Sequence, residues 1–279
     1  MAFKLTYSRL WRHLVIIAVG FIMIYPILWL ISSSFKPNQL IFSQTNLWPK
    51  EVTLQNYVKG WQGLQGISFG HFFLNSFIIS SLSVVGNIVS CSLAAFAFAR
   101  LNFKGKKLWF GLMLMTLMLP FQVTLIPQYV MFHLFGWINT FFPLVIPKWL
   151  ASDSFFILLM VQFIRGIPLD LDESATMDGC GQTQIYFRIV LPLTVPAIIT
   201  TAIFTFYWTW DDFFSQMIYL NSPKLFTVPI GLRSLIDASS TSDWGSLMAM
   251  SVLSLAPVII IFLTFQKFIV QGIATTGIK

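Results

Sequence analysis

Long apolar runs separated by short polar stretches organise this chain. Six of them, at about 14–34, 73–98, 108–126, 143–164, 197–220 and 246–266, come close to or exceed the ~20 helical residues that cross a hydrocarbon core. Lipid offers backbone amides no partner, so each run is predicted to be an α-helix. The expected architecture is an all-α polytopic membrane protein of a single domain, residues 1–279, with a polar loop over 165–196 and a tail over 267–279. The first run is longer than the apolar region of a signal peptide and has no small-x-small cleavage site before Lys36, so it reads as a retained anchor.

Composition agrees: 56% of residues are hydrophobic and 10% are charged, against about a quarter charged in a soluble domain. Basic residues of short loops favour the cytoplasmic side. Lys4, Arg9 and Arg12 precede the first run, Arg100, Lys104, Lys106 and Lys107 fill the loop after the second, and Arg165 and Arg188 flank the 165–196 segment. Lys267 and Lys279 follow the last run, whereas Lys36, Lys50, Lys59, Lys224 and Arg233 are spread over longer loops on the opposite side. Both termini and 165–196 are thus expected in the cytoplasm. The net charge of +7 follows from this asymmetry, and with no long basic run it does not point to nucleic acid. Cys91 falls in a span and Cys180 in the cytoplasmic segment, so no disulfide is expected between them.

Punctuation refines the picture. The outer loop over 36–70, with Pro49, Asn56, Tyr57 and Trp61, can pack as a small cap. Pro120, Pro127, Gly136 and Pro143 predict a broken or interfacial helix. Lys148, Asp153, Asp211 and Asp212 are ionisable residues in or near spans, where charge is costly and usually faces a bundle interior or an aqueous path. Trp208, Trp210, Asp211, Asp212 and Gln216 are therefore candidates to line a translocation path. In the alternative, Lys148 and Asp153 sit at the membrane boundary and one aspartate caps or pairs structurally. Most of the 29 Phe and 10 Trp suit lipid-facing packing and interfacial anchoring.

Within 165–196, Asp170 and Glu173 have the spacing of a capping box. A short helix through Ala175 to Met177 should stop at Gly179, where glycine takes a left-handed conformation readily. A second helix is expected from about Thr183 to Val190, ending before Pro192. Two short helices cannot bury their apolar faces alone, so Met177, Ile185, Tyr186, Phe187 and Ile189 need the ends of the bundle, a partner, or the membrane surface.

The series Glu173, Ser174, Ala175, Gly179, Ile189, Leu191 and Pro192 resembles, gap-free, the Glu-Ala-Ala…Gly…Ile-x-Leu-Pro signature of membrane subunits of binding-protein-dependent ABC importers. Ser174 replaces the first alanine, and Cys180 takes a place often held by alanine; both are small. The likeness extends along the chain. Trp48-Pro49, Thr53-Leu54-Gln55-Asn56-Tyr57, Leu74-Asn75-Ser76, Ala97-Phe98-Ala99-Arg100-Leu101, Leu119-Pro120-Phe121-Gln122-Val123-Thr124-Leu125-Ile126-Pro127, Trp210-Asp211-Asp212-Phe213 and Gln271-Gly272-Ile273-Ala274-Thr275-Thr276-Gly277 are similar to the MalG-type permeases of carbohydrate uptake systems.

That resemblance implies a type I ABC importer permease fold with six transmembrane helices and a cytoplasmic coupling helix, in a bacterial or archaeal cytoplasmic membrane. It implies a docking set of Glu173, Ser174, Ala175, Asp178, Gly179, Ile189, Leu191 and Pro192, and a tail whose Gln271, Thr275 and Thr276 meet the ATPase. The implied partners are a second permease subunit, two copies of an ABC ATPase, an extracytoplasmic solute-binding protein and a carbohydrate, of oligosaccharide type. ATP and Mg2+ would be bound by the ATPase and no cofactor by this chain. The chain would not itself be catalytic. In keeping with this it has no Gly-x-x-x-x-Gly-Lys-Ser/Thr phosphate loop, and Gly179-Cys180-Gly181-Gln182 is only a faint echo of a nucleotide-binding signature. Two other classes compete: an intramembrane enzyme, for which there is no His-Glu-x-x-His pair, and a self-sufficient secondary transporter or channel, for which an internal repeat would be expected and none is evident.

Overall fold

A computed structural model describes the chain over residues 2–236 and 243–274, with side chains over 11–236 and 243–267. Its described secondary structure is helical apart from an isolated bridge between Leu64 and Ile67. Four helical stretches are long and apolar enough to cross a membrane: Trp11–Ser34, Phe69–Arg100, Phe142–Arg165 and Trp244–Lys267. Two bent helix pairs raise the number to six if each pair is one span.

The bends fall where chain chemistry places them. α4 (Lys106–Thr116) and α5 (Phe121–Leu134) meet at 102° around Pro120, so the apolar run at 108–126 is not one straight helix. Pro120 has no N–H to continue α4 and sits in an extended conformation, φ −60° and ψ 136°, at the start of α5. The run at 143–164 is likewise two helices, α6 (Phe142–Trp149) and α7 (Ser154–Arg165), with Ala151 at φ +54° between them. An ion pair of 2.8 Å between Lys148 Nζ and Asp153 Oδ2 bridges that break. The fifth run ends its helix, α11 (Val195–Trp210), well before 220, and a separate short helix, α12 (Phe214–Tyr219), follows.

Two compact units can be described separately. The first comprises residues 1–70 and 231–256. It contains α1 (Ala2–Ser34), α2 (Gln55–Gln62) and the beginning of α14 (Trp244–Ala274). The loop after α1 folds around Lys36, which is fully buried and donates from Nζ to the Gln44 and Asn46 carbonyls, 2.8 Å each. Asn56 Nδ2 donates to the Ser34 and Lys36 carbonyls, again 2.8 Å each, and so ties α2 to the end of α1. Gly60 of α2 leaves room for Met250 of α14, and Gly245 leaves room for the Asn56 amide.

The second unit comprises residues 71–230 and 257–279, and within it α3 (Phe69–Arg100) is the central element. One face of α3 carries Ser76, Ser80, Ser83 and Asn87 at helical spacing, all buried. Small polar residues let helix backbones approach closely and bond across the seam; here Asn87 Nδ2 donates to Thr205 Oγ1 of α11 at 2.8 Å. On another face Gly86 admits the indole of Trp149, whose Nε1 donates to the Leu82 carbonyl at 3.1 Å. At its first turns α3 is bonded to the 224–228 segment: Asn75 Nδ2 donates to the Lys224 and Phe226 carbonyls, and Ser76 Oγ accepts from Val228 N–H.

A Cβ at Gly86 would overlap the Trp149 ring. Gly86→Val is expected to lower the unfolding free energy by about 1–3 kcal/mol through overpacking. Gly111→Ala, at a position with open space around it, should cost nothing. Thermal unfolding of the detergent-purified protein reads both.

Candidate functional site

The 165–196 segment starts where α7 ends at Arg165 and Gly166-Ile167-Pro168 redirects the chain. α8 (Asp170–Met177) then carries Asp170, Asp172 and Glu173 in its first turn, a charge distribution that suits the positive end of the helix dipole. The expected capping box does not form. Leu169, itself in a helical conformation, is the N-cap, and its carbonyl accepts from Asp172 N–H (2.9 Å) and Glu173 N–H (3.1 Å). Asp170 therefore falls inside the first turn, where its carboxylate is past the capping position.

The end of α8 follows the expectation closely. Gly179 has φ +83°. Cys180 N–H donates to the Ala175 carbonyl (2.9 Å) and Gly179 N–H to that of Thr176 (3.0 Å), the paired bonds of a Schellman motif. Gln184 Oε1 accepts from Gly181 N–H at 2.9 Å and starts the next helix. That helix does not end before Pro192. α9 (Gln182–Ile185) passes into a π-helical turn (Tyr186–Val190) and on into α10 (Leu191–Leu193), with Pro192 inside. In the widened turn Leu191 N–H reaches back to the Tyr186 carbonyl, so the ladder has already changed register where proline would break an ordinary α-helix. The chain bends by 74° between Leu193 and Val195, and α11 begins.

The segment has two faces. Ala175, Ile185, Tyr186 and Val190 are buried against Phe96 of α3 and Ile164 and Ile167 at the end of α7, and Cys180, Ile189 and Leu191 pack beside them. Tyr186 and Ser92 share a 2.8 Å hydroxyl hydrogen bond, and the Tyr186 ring lies 5.3 Å from that of Phe96. Glu173, Ser174, Asp178, Gly179 and Pro192 are exposed, together with Phe187 and with Met177 at 83%. Of the expected docking set, Ala175, Ile189 and Leu191 thus turn inward and the other five outward.

Arg100, a basic loop flank and part of the permease-like Ala97–Leu101 stretch but not among the expected docking residues, completes the site. Its Nε lies 2.9 Å from Asp172 Oδ2 and its Nη2 donates to the Ile167 carbonyl at 2.8 Å. Its side chain is 5% exposed. Next to this pair a hollow of about 310 Å3 is lined by Arg100, Asp172, Glu173, Thr176 and Gln182. The signal that could have found Arg100 is its place at the end of an apolar helix, within reach of an acidic helix start.

The path candidates separate. Gln216 is buried, with Nε2 donating to the Thr209 carbonyl (2.8 Å) and Oε1 accepting from Thr227 Oγ1. Trp210 is buried and stacked on Phe206 at 5.4 Å. Asp212 Oδ1 accepts from Ser215 N–H at 3.0 Å at the start of α12. Trp208 and Asp211 are exposed, Trp208 on a cluster with Phe155, Phe156 and Phe204. Of the tail candidates, Thr275 and Thr276 lie outside the described residues and Gln271 lies on α14 beyond the described side chains. Gly66-Ile67-Ser68-Phe69-Gly70 has the spacing of a hydrolase nucleophile elbow, contrary to the expectation that the chain holds none. It leads from the Leu64–Ile67 bridge into α3 and follows no strand, so the elbow's strand–turn–helix setting is missing. Among the described residues no cluster of three or more His, Cys, Asp or Glu side chains could hold a metal.

Residues 86–275 match the family described as binding-protein-dependent transport system inner membrane component. The chain is 38% identical over 255 residues to the probable ABC transporter permease protein YurM of Bacillus subtilis, covering 91% of this chain and 83% of that one. It is 31% identical to the galactooligosaccharides transport system permease protein GanQ of the same organism (97% and 95% covered). It is 33% identical to the trehalose/maltose transport system permease protein MalG of Thermococcus litoralis (94% of each). Its fold matches a chain from a bacterial ABC transporter involved in the import of alginate, with TM-score 0.82 and 20% identity over 94% of this chain and 96% of that chain.

A Cβ at Gly179 would meet open space but force a side-chain-bearing residue into left-handed geometry. Gly179→Ala is expected to cost about 1–2 kcal/mol of local stability. Hydrogen exchange should then quicken at the amides of 175–185 and stay unchanged in α3.

Proposed function

Because this chain belongs to the family of binding-protein-dependent transport system inner membrane components, we propose that it forms half of an oligosaccharide translocation path and couples that path to a separate ABC ATPase through Glu173–Pro192. The observation that carries this reading is the two-faced segment. One face is built into the core through Ala175, Ile185 and Tyr186, while the other leaves Glu173, Met177, Asp178 and Phe187 uncovered. A connector packed only on its own chain has no need of an exposed methionine and phenylalanine, and the acidic residues Asp170, Glu173 and Asp178 beside them suit a protein partner better than a membrane surface.

In this reading the basic residues of the short loops put the segment and both termini in the cytoplasm. A second permease subunit supplies the other half of the path, two ATPase copies bind ATP and Mg2+, and an extracytoplasmic binding protein delivers the sugar. The tail, with Gln271, Thr275 and Thr276, reaches the ATPase pair. Exposed Trp208 and Asp211, beside the break after α11, offer a sugar a ring face and a hydrogen-bond acceptor. The oligosaccharide class is supported by relatives named for galactooligosaccharide and trehalose/maltose transport. Buried Gln216 and Trp210 serve the path only by holding the wall in place.

Reconstitution of the chain with partner permease, ATPase and binding protein in vesicles tests the reading: oligosaccharide uptake should require all four and ATP. Uptake by this chain alone would overturn it. Glu173→Lys, which reverses a charge at the helix start, and Gly179→Asp should insert normally yet lose ATPase co-purification and binding-protein-stimulated hydrolysis. In the path, Asp211→Asn should lower uptake with assembly and basal hydrolysis intact. Asp212→Ala should instead cost about 0.5–2 kcal/mol of stability by removing a helix-start acceptor. Equal uptake in Asp211→Asn and wild type would remove Asp211 from the path.

A further inference from the structure

We propose that Arg100 and Asp172 form the clamp that converts movement of the docking helix into movement of α3, and through α3 into movement of the chain break at Asp211–Phe213. This rests on the docking role proposed above for 165–196, and adds the residues that carry the coupling inward.

The argument starts from the chain that leads to α8. Gly166 and Pro168 separate α8 from α7, and covalent linkage through three or four non-helical residues transmits displacement poorly. Arg100 spans that joint from outside it. It is the last residue of α3, and one guanidinium holds both Asp172, in the first turn of α8, and the Ile167 carbonyl, in the joint itself. A planar, always-charged guanidinium meets the two acceptors from separate nitrogens, Nη2 donating to the Ile167 carbonyl and Nε facing the Asp172 carboxylate as an ion pair. The pair is nearly dry, with side-chain exposures of 5% and 16%, so water screens it little.

The other end of α3 is also tied. The helix is 32 residues long, roughly 48 Å at 1.5 Å per residue. At its first turns Asn75 grips the Lys224 and Phe226 carbonyls and Ser76 grips Val228 N–H. Between these anchors Thr227 donates to Gln216, and Gln216 donates to the Thr209 carbonyl at the end of α11. A continuous series of charged and hydrogen-bonded contacts therefore runs from α8 through a rigid helix to the residues beside Trp208 and Asp211. Tyr186 on Ser92 and Asn87 on Thr205 brace α3 along its length. A series of packed and hydrogen-bonded groups of this kind can carry coupling between distant sites.

The test uses the complete importer in vesicles and reads sugar transported per ATP hydrolysed, with ATPase co-purification alongside. R100K keeps a cation but offers one nitrogen where Nε and Nη2 meet the two acceptors from separate atoms, and D172N keeps size and one acceptor but no charge. Each should retain the ATPase and lower the transport-to-hydrolysis ratio roughly tenfold, and the exchanged pair R100D/D172R should recover part of it, as interacting residues do in a double-mutant cycle. A wild-type ratio in both R100K and D172N, while wild type itself needs the ATPase, overturns the clamp and leaves the docking role standing. Loss of ATPase co-purification in both also overturns it, since the pair would then serve the fold. Transport by wild type without the ATPase overturns the docking role, and the clamp with it.

Discussion

A backbone amide at membrane depth has to find its partner inside the protein, and this constraint governs where the chain is allowed to stop being helical. Each interruption comes with a substitute. At Pro120 the amide is absent rather than unpaired. Between α6 and α7 the Lys148–Asp153 ion pair closes the gap and the Ser90 hydroxyl takes up the Lys148 carbonyl. After α11, Asp212 accepts from Ser215 N–H while Gln216 takes the Thr209 carbonyl. Side chains that look like candidates for chemistry in a linear reading are thus in several cases repairs to the backbone, and what is left for a solute is the smaller set of polar groups with no such duty.

The same economy shapes the 165–196 segment. Ala175 is small because its carbonyl must be reached by Cys180 N–H while its methyl packs on the core; Gly179 is glycine because the reversal has positive φ. Apart from Gly179, the exposed face can vary without disturbing the fold. Packing is carried by one side of a segment only two short helices long and the docking proposed for it by the other, and the residues of the two sides alternate along the sequence.

Much of this was legible before any coordinates. The helical character of the apolar runs follows from lipid's lack of hydrogen-bond partners, while their number, six, matches the structure only if each of the two bent pairs is one span. Gly179 was legible because so few residues adopt its conformation, and Pro120 because a missing N–H can be read directly. The N-terminus of α8 was misread because Asp170 caps only if the chain enters the helix there, and Leu169 enters it one residue earlier. Pro192 was misread as a terminator because a widened turn leaves no mark in composition. Arg100 stayed hidden because the ion pair joins residues far apart in sequence, and hydropathy periodicity is blind to such pairs. Asp211 and Asp212 look alike in the chain; only the fold tells that one is occupied and the other open.

The widened turn at Tyr186–Val190 bears on how sequences of this kind can drift. Each residue added to or removed from an α-helix rotates everything beyond it by about 100°. Between Gly179 and Pro192 such a rotation would turn Ile185, Tyr186 or Val190 out of the core and bring Phe187 or Arg188 in. The turn already contains its one permitted irregularity, and the bend into α11 follows directly after it. Substitutions on the exposed side other than at Gly179 leave the packing in place, whereas an insertion or deletion does not. The gap-free spacing of this stretch is therefore a ruler set by the packing of its buried side.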